Sequence, residues 1–185
     1  MTEPRKGWLR TVGGLSTVVV TAFMVRTWVG APMVVGSDAM APALQQGDIV
    51  WLDRMGPSAA VPGAVVAYRV PGRGETTIKR VVGTEGQVVE ISGGRLFLDG
   101  VVRGSSSRET WCGRDVPVRA GADLSAVEVE PGTVFVLGDD RAISSDSRQW
   151  GAVPVDAVLG QARSVMWSDG ARDGIGCAVE ASPTH

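Results

Sequence analysis

The chain has 185 residues and a mass of 19.3 kDa, with 44% hydrophobic and 21% charged side chains; this suits one packed domain, with or without a membrane segment, and excludes a disordered chain or a multi-domain machine. A formal net charge of -2 and a pI near 5.4 leave no basic footprint for a nucleic acid. The single histidine is the last residue, His185, so a Ser-His or Cys-His nucleophilic pair and a His-rich metal site have no histidine in the body to use.

Arg5, Lys6 and Arg10 precede an uncharged run from Thr11 to Val25, followed by Arg26, Thr27, Trp28 and Val-Gly-Ala-Pro-Met-Val-Val. A helix over that run spans roughly 22 Å against a hydrocarbon thickness of about 30 Å, so it crosses a bilayer only if Arg26 snorkels and Trp28 sits at the interface. The helix then extends toward Gly30 and ends at Pro32. This reading gives a cytoplasmic basic tail at 1–10, a transmembrane anchor at 11–35 and an extracytoplasmic β-rich domain at 36–185, single-pass in the cytoplasmic membrane. Two alternatives compete. A cleavable secretory signal would use Val29-Gly30-Ala31 as a loose A-x-A site, which Arg26 and Pro32 oppose; a buried soluble helix would need a polar face that the run lacks.

The body is predicted to be mainly β, because 25 Gly and 30 Val suit short pleated strands better than long helices. Val-rich segments separated by Gly, Pro and Asp run over Ile49–Leu52, Ala64–Val70, Ile78–Val82, Val88–Ile91, Leu96–Leu98, Val127–Val129 and Val134–Leu137, the spacing of antiparallel strands. Ser92-Gly93-Gly94 predicts a hairpin turn. Residues 84–135 read as a smaller inserted subdomain, Arg103–Arg108 as a flexible surface loop, Val155–Val158 as a turn, and the tail from Asp169 as loosely held. Cys112 and Cys177 could pair in an oxidising compartment or remain two thiols.

Sixteen of the 18 basic residues are Arg, so each Lys invites a question. Lys6 belongs to the basic tail, but Lys79 sits in Thr-Ile-Lys-Arg-Val-Val, a β-like apolar context. Arg stays protonated at any relevant pH, whereas a buried Lys can lose its proton and act as a general base. The bland alternative is a strand lysine that snorkels or pairs with an acid.

Three stretches stand together: Gly36-Ser37-Asp38-Ala39-Met40-Ala41-Pro42 with Gly47-Asp48 after it, Ile78-Lys79-Arg80, and Gly138-Asp139-Asp140-Arg141-Ala142-Ile143-Ser144-Ser145-Asp146-Ser147-Arg148. In order and spacing they resemble the type I signal peptidases, membrane-anchored serine-lysine endopeptidases that remove signal peptides from exported proteins. The resemblance runs from the anchor to about Val165, and its third stretch is the most specific. It implies the complex β fold of that family, short antiparallel strands behind one N-terminal transmembrane helix. Carried over by position, it makes Lys79 the general base, Ser144 the serine that orients it, and Ser37 an oxyanion-hole hydroxyl. Asp146 and Arg148 become an ion pair near the site, Gly138, Asp139 and Arg141 a supporting turn, and Met40 and Pro42 neighbours of the first motif. The implied partners are signal peptides of exported preproteins and the lipid bilayer, with no nucleic acid, no metal and no cofactor.

One departure dominates. The family's first motif reads Ser-x-Ser-Met with the second serine as nucleophile, and that position here is Ala39. Ser37 lies two residues away and cannot replace it, since reacting atoms must approach within about 3 to 3.5 Å, and Asp38 offers only a carboxylate. The expectation is retained binding with turnover essentially gone, in a disabled enzyme or a pseudo-protease. From other classes, an anchored β-domain without catalytic ancestry would require an exposed Lys79, and a cytosolic self-cleaving repressor-type protease would conflict with the apolar N-terminus.

Overall fold

The computed structural model describes residues 30–54, 61–169 and 175. The Val-rich runs fold as strands β1 (Gly30–Val34), β2 (Ile49–Asp53), β3 (Val65–Arg69), β4 (Thr76–Thr84), β5 (Val88–Ser92) and β6 (Arg95–Leu98). After them come β7 (Val101–Val102), β8 (Arg108–Trp111), β9 (Arg114–Pro117), β10 (Leu124–Glu128), β11 (Thr133–Leu137), β12 (Val153–Pro154) and β13 (Val158–Trp167). Helical structure among the described residues is slight: a single α turn, α1 (Ser147–Trp150), and 3-10 turns at Asp38–Met40 and Val155–Ala157. The chain is mainly β, with every strand pair antiparallel.

The main sheet has seven strands in the order β1-β2-β13-β3-β4-β11-β12. It is covered on both faces, which is why β3 reads Val-Val-Ala-Tyr without alternation: Val65 and Ala67 face one core with Met40, Leu44, Val50 and Ile78, while Val66 and Tyr68 face another with Val81, Val134 and Val136. Fully burying each such Val, Leu or Ile stabilises the fold by roughly 1.5–3 kcal/mol. Because β4 is long, its first half pairs with β3 and its second half with β11, and Lys79 and Arg80 lie where the two pairings meet.

Residues between β4 and β11 form two smaller sheets, β10-β5-β6-β7 and β8-β9, over a third core of Val89, Leu96, Leu98, Trp111 and Phe135. The β5–β6 turn is Gly93-Gly94, both at positive φ (56° and 72°), the pair of left-handed residues that a two-residue hairpin matching strand twist requires. The serines of Arg103–Arg108 close a turn in which Ser105 Oγ accepts the Arg108 N–H at 3.1 Å, and Arg108 itself opens β8.

Three expectations change here. Gly30–Val34 is a strand of the main sheet, so the anchor does not extend to residue 35; residues 11–29 of that segment, and the basic tail 1–10, lie outside the described residues. Pro32, expected to stop a helix, sits in β1, an outer strand of the sheet, where the missing N–H costs no ladder bond. No helix among the described residues is long and apolar enough to cross a membrane. The tail beyond Asp169 is not loose throughout, because Ile175 is 1% exposed within the first core. Cys112 is disulfide-bonded; Cys177 lies outside the described residues.

Candidate active site

The three stretches converge on one cleft of about 460 Å³. Its walls come from the end of β1 and the following loop (Val34, Ser37, Ala39), the start of β4 (Thr77, Lys79), and the loop after β11 (Ile143, Ser145). Lys79 and Ala39 thus face the same space, both buried, at 3% and 7% exposure.

Alternation along β4 explains the lysine's position. Lys79 opposes Val66 and Thr77 opposes Tyr68, so both side chains project from one face of the sheet, while Ile78 points into the opposite core. The Lys79 Nζ donates to Thr77 Oγ1 at 3.1 Å and to the Ile78 carbonyl at 3.0 Å, both neutral acceptors. Burial pushes its pKa below the ordinary lysine value of 10.5, and the carboxylates of Asp146 and Asp139 pull the other way without reversing the shift. This corrects the snorkelling alternative and the reading that needs an exposed lysine.

The sign of the pH effect follows. At low pH the ammonium is present in folded and unfolded chains alike, and the fold bears its burial cost. As pH rises through the lowered folded value toward 10.5 the folded chain releases its proton first, so stability rises over that window. Replacing Lys79 by Met should therefore show its largest stability advantage over the parent at neutral pH, shrinking toward pH 10, in urea titrations of both chains.

The third stretch is built from its own side chains. Asp146 caps α1 by accepting the Arg148 N–H at 3.3 Å, takes the Gly138 N–H on its other oxygen at 3.1 Å, and holds the Arg148 guanidinium at 2.8 and 2.9 Å. Arg148 reaches the Arg141 and Ser144 carbonyls, and Ser147 Oγ accepts the Val136 N–H where β11 bulges. Asp146 is fully buried, so this pair is not a surface contact. Asp139 forms a bidentate pair with Arg80 at 2.7 and 2.8 Å, both side chains fully buried. Arg141 donates to the Gly138 carbonyl at 2.7 Å and to Glu109 of β8 at 2.7 and 2.8 Å. The first tie joins the lysine's strand to the turn, and the second joins the turn to the small β8-β9 sheet.

Gly138 is the pivot. A methyl group there would run into Ser144 Oγ and lie 2.5 Å from the Ala39 carbonyl oxygen, which is backbone and cannot step aside; that same carbonyl accepts the Asp140 N–H at 3.1 Å. Gly138→Ala is expected to destabilise the fold by roughly 1–3 kcal/mol, as core overpacking does, and thermal melts of the two chains will measure it.

The other predicted residues divide. Met40 is buried in the first core, Pro42 follows a cis peptide bond, and Ser37 is exposed on the cleft wall. The Asp38 carboxylate accepts the Gln46 N–H at 2.9 Å, which commits it to its own loop. The Ser144 Oγ is buried, packs toward Gly138 and makes no hydrogen bond among the described residues, while the lysine amine bonds Thr77. Sequence reasoning missed Thr77, along with the apolar rims Val34 and Ile143, 60% and 63% exposed; nothing in those residue types marks them out. Among the described residues no group of three or more His, Cys, Asp or Glu could hold a metal ion.

A buried amine with a lowered pKa lines a cleft that is backed by a turn of interlocked Asp and Arg in an antiparallel β protein. The family described as "Signal peptidase, peptidase S26" matches residues 8–167, and the chain belongs to that family. A probable signal peptidase I-1 from a Synechocystis species is 31% identical over 158 residues, covering 80% of this chain and 76% of that protein. Signal peptidase I of Leptolyngbya laminosa is 28% identical over 175 residues, covering 89% of this chain and 81% of that protein. A crystal structure of a signal peptidase I from Enterococcus faecalis V583 aligns with a TM-score of 0.41 at 26% identity, covering 57% of this chain and 96% of that one.

Proposed function

We propose that this protein binds the signal peptides of exported preproteins in the Lys79 cleft, and that as it stands it does not cleave them because Ala39 occupies the nucleophile position. The observation that carries this is Lys79 itself: an amine 3% exposed, bonded only to neutral acceptors, lining the same cleft as the Ala39 methyl. With a serine at 39, the neutral amine would take the hydroxyl proton, the oxygen would attack the scissile carbonyl, and the protonated lysine would return its proton to the leaving amine. Water, activated by the same lysine, would then release the acyl group. The Ser37 hydroxyl and the backbone N–H of residue 39 are the oxyanion donors in this reading, each worth about 3 kcal/mol.

Recognition rests on the cleft walls. Among the described residues β1 is an outer strand of the sheet, so an extended peptide can add to its edge, and the exposed Val34 and Ile143 offer apolar contact for small side chains flanking the scissile bond. The membrane assignment, with 11–29 as a single-pass anchor and the β body outside, belongs to the same proposal and rests on the apolar run and its basic flank.

A fluorescent peptide spanning a signal-peptide cleavage site, titrated with the full chain in detergent micelles, tests the binding half. Saturable binding without product formation is expected, and addition of Ala39→Ser chain to the same mixture should release product. An absence of saturable binding would sink the proposal.

A further inference from the structure

The geometry points to Thr77 as the residue that positions the Lys79 amine, in the place that the family resemblance gives to Ser144. The inference rests on the reading of Lys79 as a base.

A neutral amine has two N–H groups and one lone pair. Here both N–H directions are taken, one by Thr77 Oγ1 at 3.1 Å and one by the Ile78 carbonyl at 3.0 Å, which leaves the lone pair uncommitted and free to accept a proton. Ile78 is held in β4 opposite Ala67 of β3, which fixes the backbone that presents this carbonyl. Thr77 stands two residues before Lys79 on the same face of β4, is half-buried in the cleft wall, and as a β-branched residue offers its hydroxyl from a restricted rotamer. Ser144 Oγ, by contrast, is buried without a hydrogen bond and turned to Gly138. Its backbone is what the site uses, through the carbonyl that Arg148 grips and the N–H given to the Asp140 carbonyl.

The test uses the full chain labelled with 13C at lysine Cε. Only two lysines exist, so two signals are expected, and Lys6→Arg assigns them. An accepting hydroxyl favours the ammonium, so Thr77→Val and Thr77→Ala should both move the Lys79 titration to lower pH, while Thr77→Ser restores it and Ser144→Ala does not move it. In the Ala39→Ser background, Thr77→Val should lower kcat by about 100-fold with KM retained, the scale of a misplacement near 1 Å, and Thr77→Ser should recover most of it. A titration, or a kcat in that background, that neither Thr77→Val nor Thr77→Ala moves overturns the inference; so does a titration moved by Ser144→Ala alone. If the Ala39→Ser chain cleaves nothing, the signal-peptidase reading fails, and the lysine titration in the parent chain still decides whether Thr77 holds the amine.

Discussion

Ala39→Ser is expected to turn a chain with no measurable preprotein cleavage into one that cleaves, by several orders of magnitude over background. The magnitude comes from the known cost of the reverse change, since removal of the nucleophile from another serine protease lowers kcat by about a million-fold while leaving binding and oxyanion stabilisation in place. Little else has to be rebuilt. Residue 39 is already buried beside the cleft, its carbonyl is held by the Asp140 N–H, and Lys79 is already desolvated. The pH profile carries the mechanistic content. The lysine must be neutral to act, so the rate should rise with pH along a single acid limb, centred below the ordinary lysine value of 10.5 because burial lowers the Lys79 pKa. Initial rates from pH 6 to 10 on one preprotein will measure it, and a flat profile would contradict the assignment of Lys79 as base.

The second large effect is structural. Arg80 and Asp139 are both fully buried and joined by two hydrogen bonds of 2.7 and 2.8 Å, and Arg80 also donates to the Gly63 carbonyl at 2.9 Å. Asp139→Asn leaves a buried guanidinium without its counter-charge and should cost about 3–5 kcal/mol, a fall in Tm of roughly 10 °C for a chain of this size. Arg80→Met should cost about as much by stranding the carboxylate. The double variant Arg80→Met with Asp139→Leu should lose much less than the sum, because removing both charges removes the desolvation cost along with the attraction. Urea unfolding of the four chains checks this; a single-variant loss under about 1 kcal/mol would mean that the pair does not hold β4 to the turn after β11.

Much of the β body was legible because burial writes itself into Val-rich runs. The strands over Ile49, Val65, Val88 and Thr133 are where those runs lie. The misses have distinct causes. β13, ten residues long, carries Gly160, a buried Gln161 and three register shifts, two against β2 and one against β3, so no period of two survives in its sequence. β8 and β9 are polar strands whose one buried charge, Glu109, is neutralised by Arg141, 32 residues away, a pairing no local pattern encodes. β1 falls inside the stretch that the sequence assigns to the anchor, because an apolar run around a proline suits a helix end and an outer strand equally well. At the site, the rarity of lysine singled out Lys79, and the long third motif singled out Asp139, Asp146 and Arg148. Which hydroxyl meets the amine was not legible, since it depends on β3–β4 register and on how Ser144 packs against Gly138.

The central claim is that a proton-accepting lysine waits at a position from which the attacking hydroxyl is missing. The most direct measurement compares product formation from one preprotein by the parent chain, by Ala39→Ser, and by Ala39→Ser combined with Lys79→Met, at a pH near 9. The account predicts product from the single variant alone, with parent and double variant both at background. Equal product from the single and double variants, or none from any chain that demonstrably binds the peptide, would contradict it.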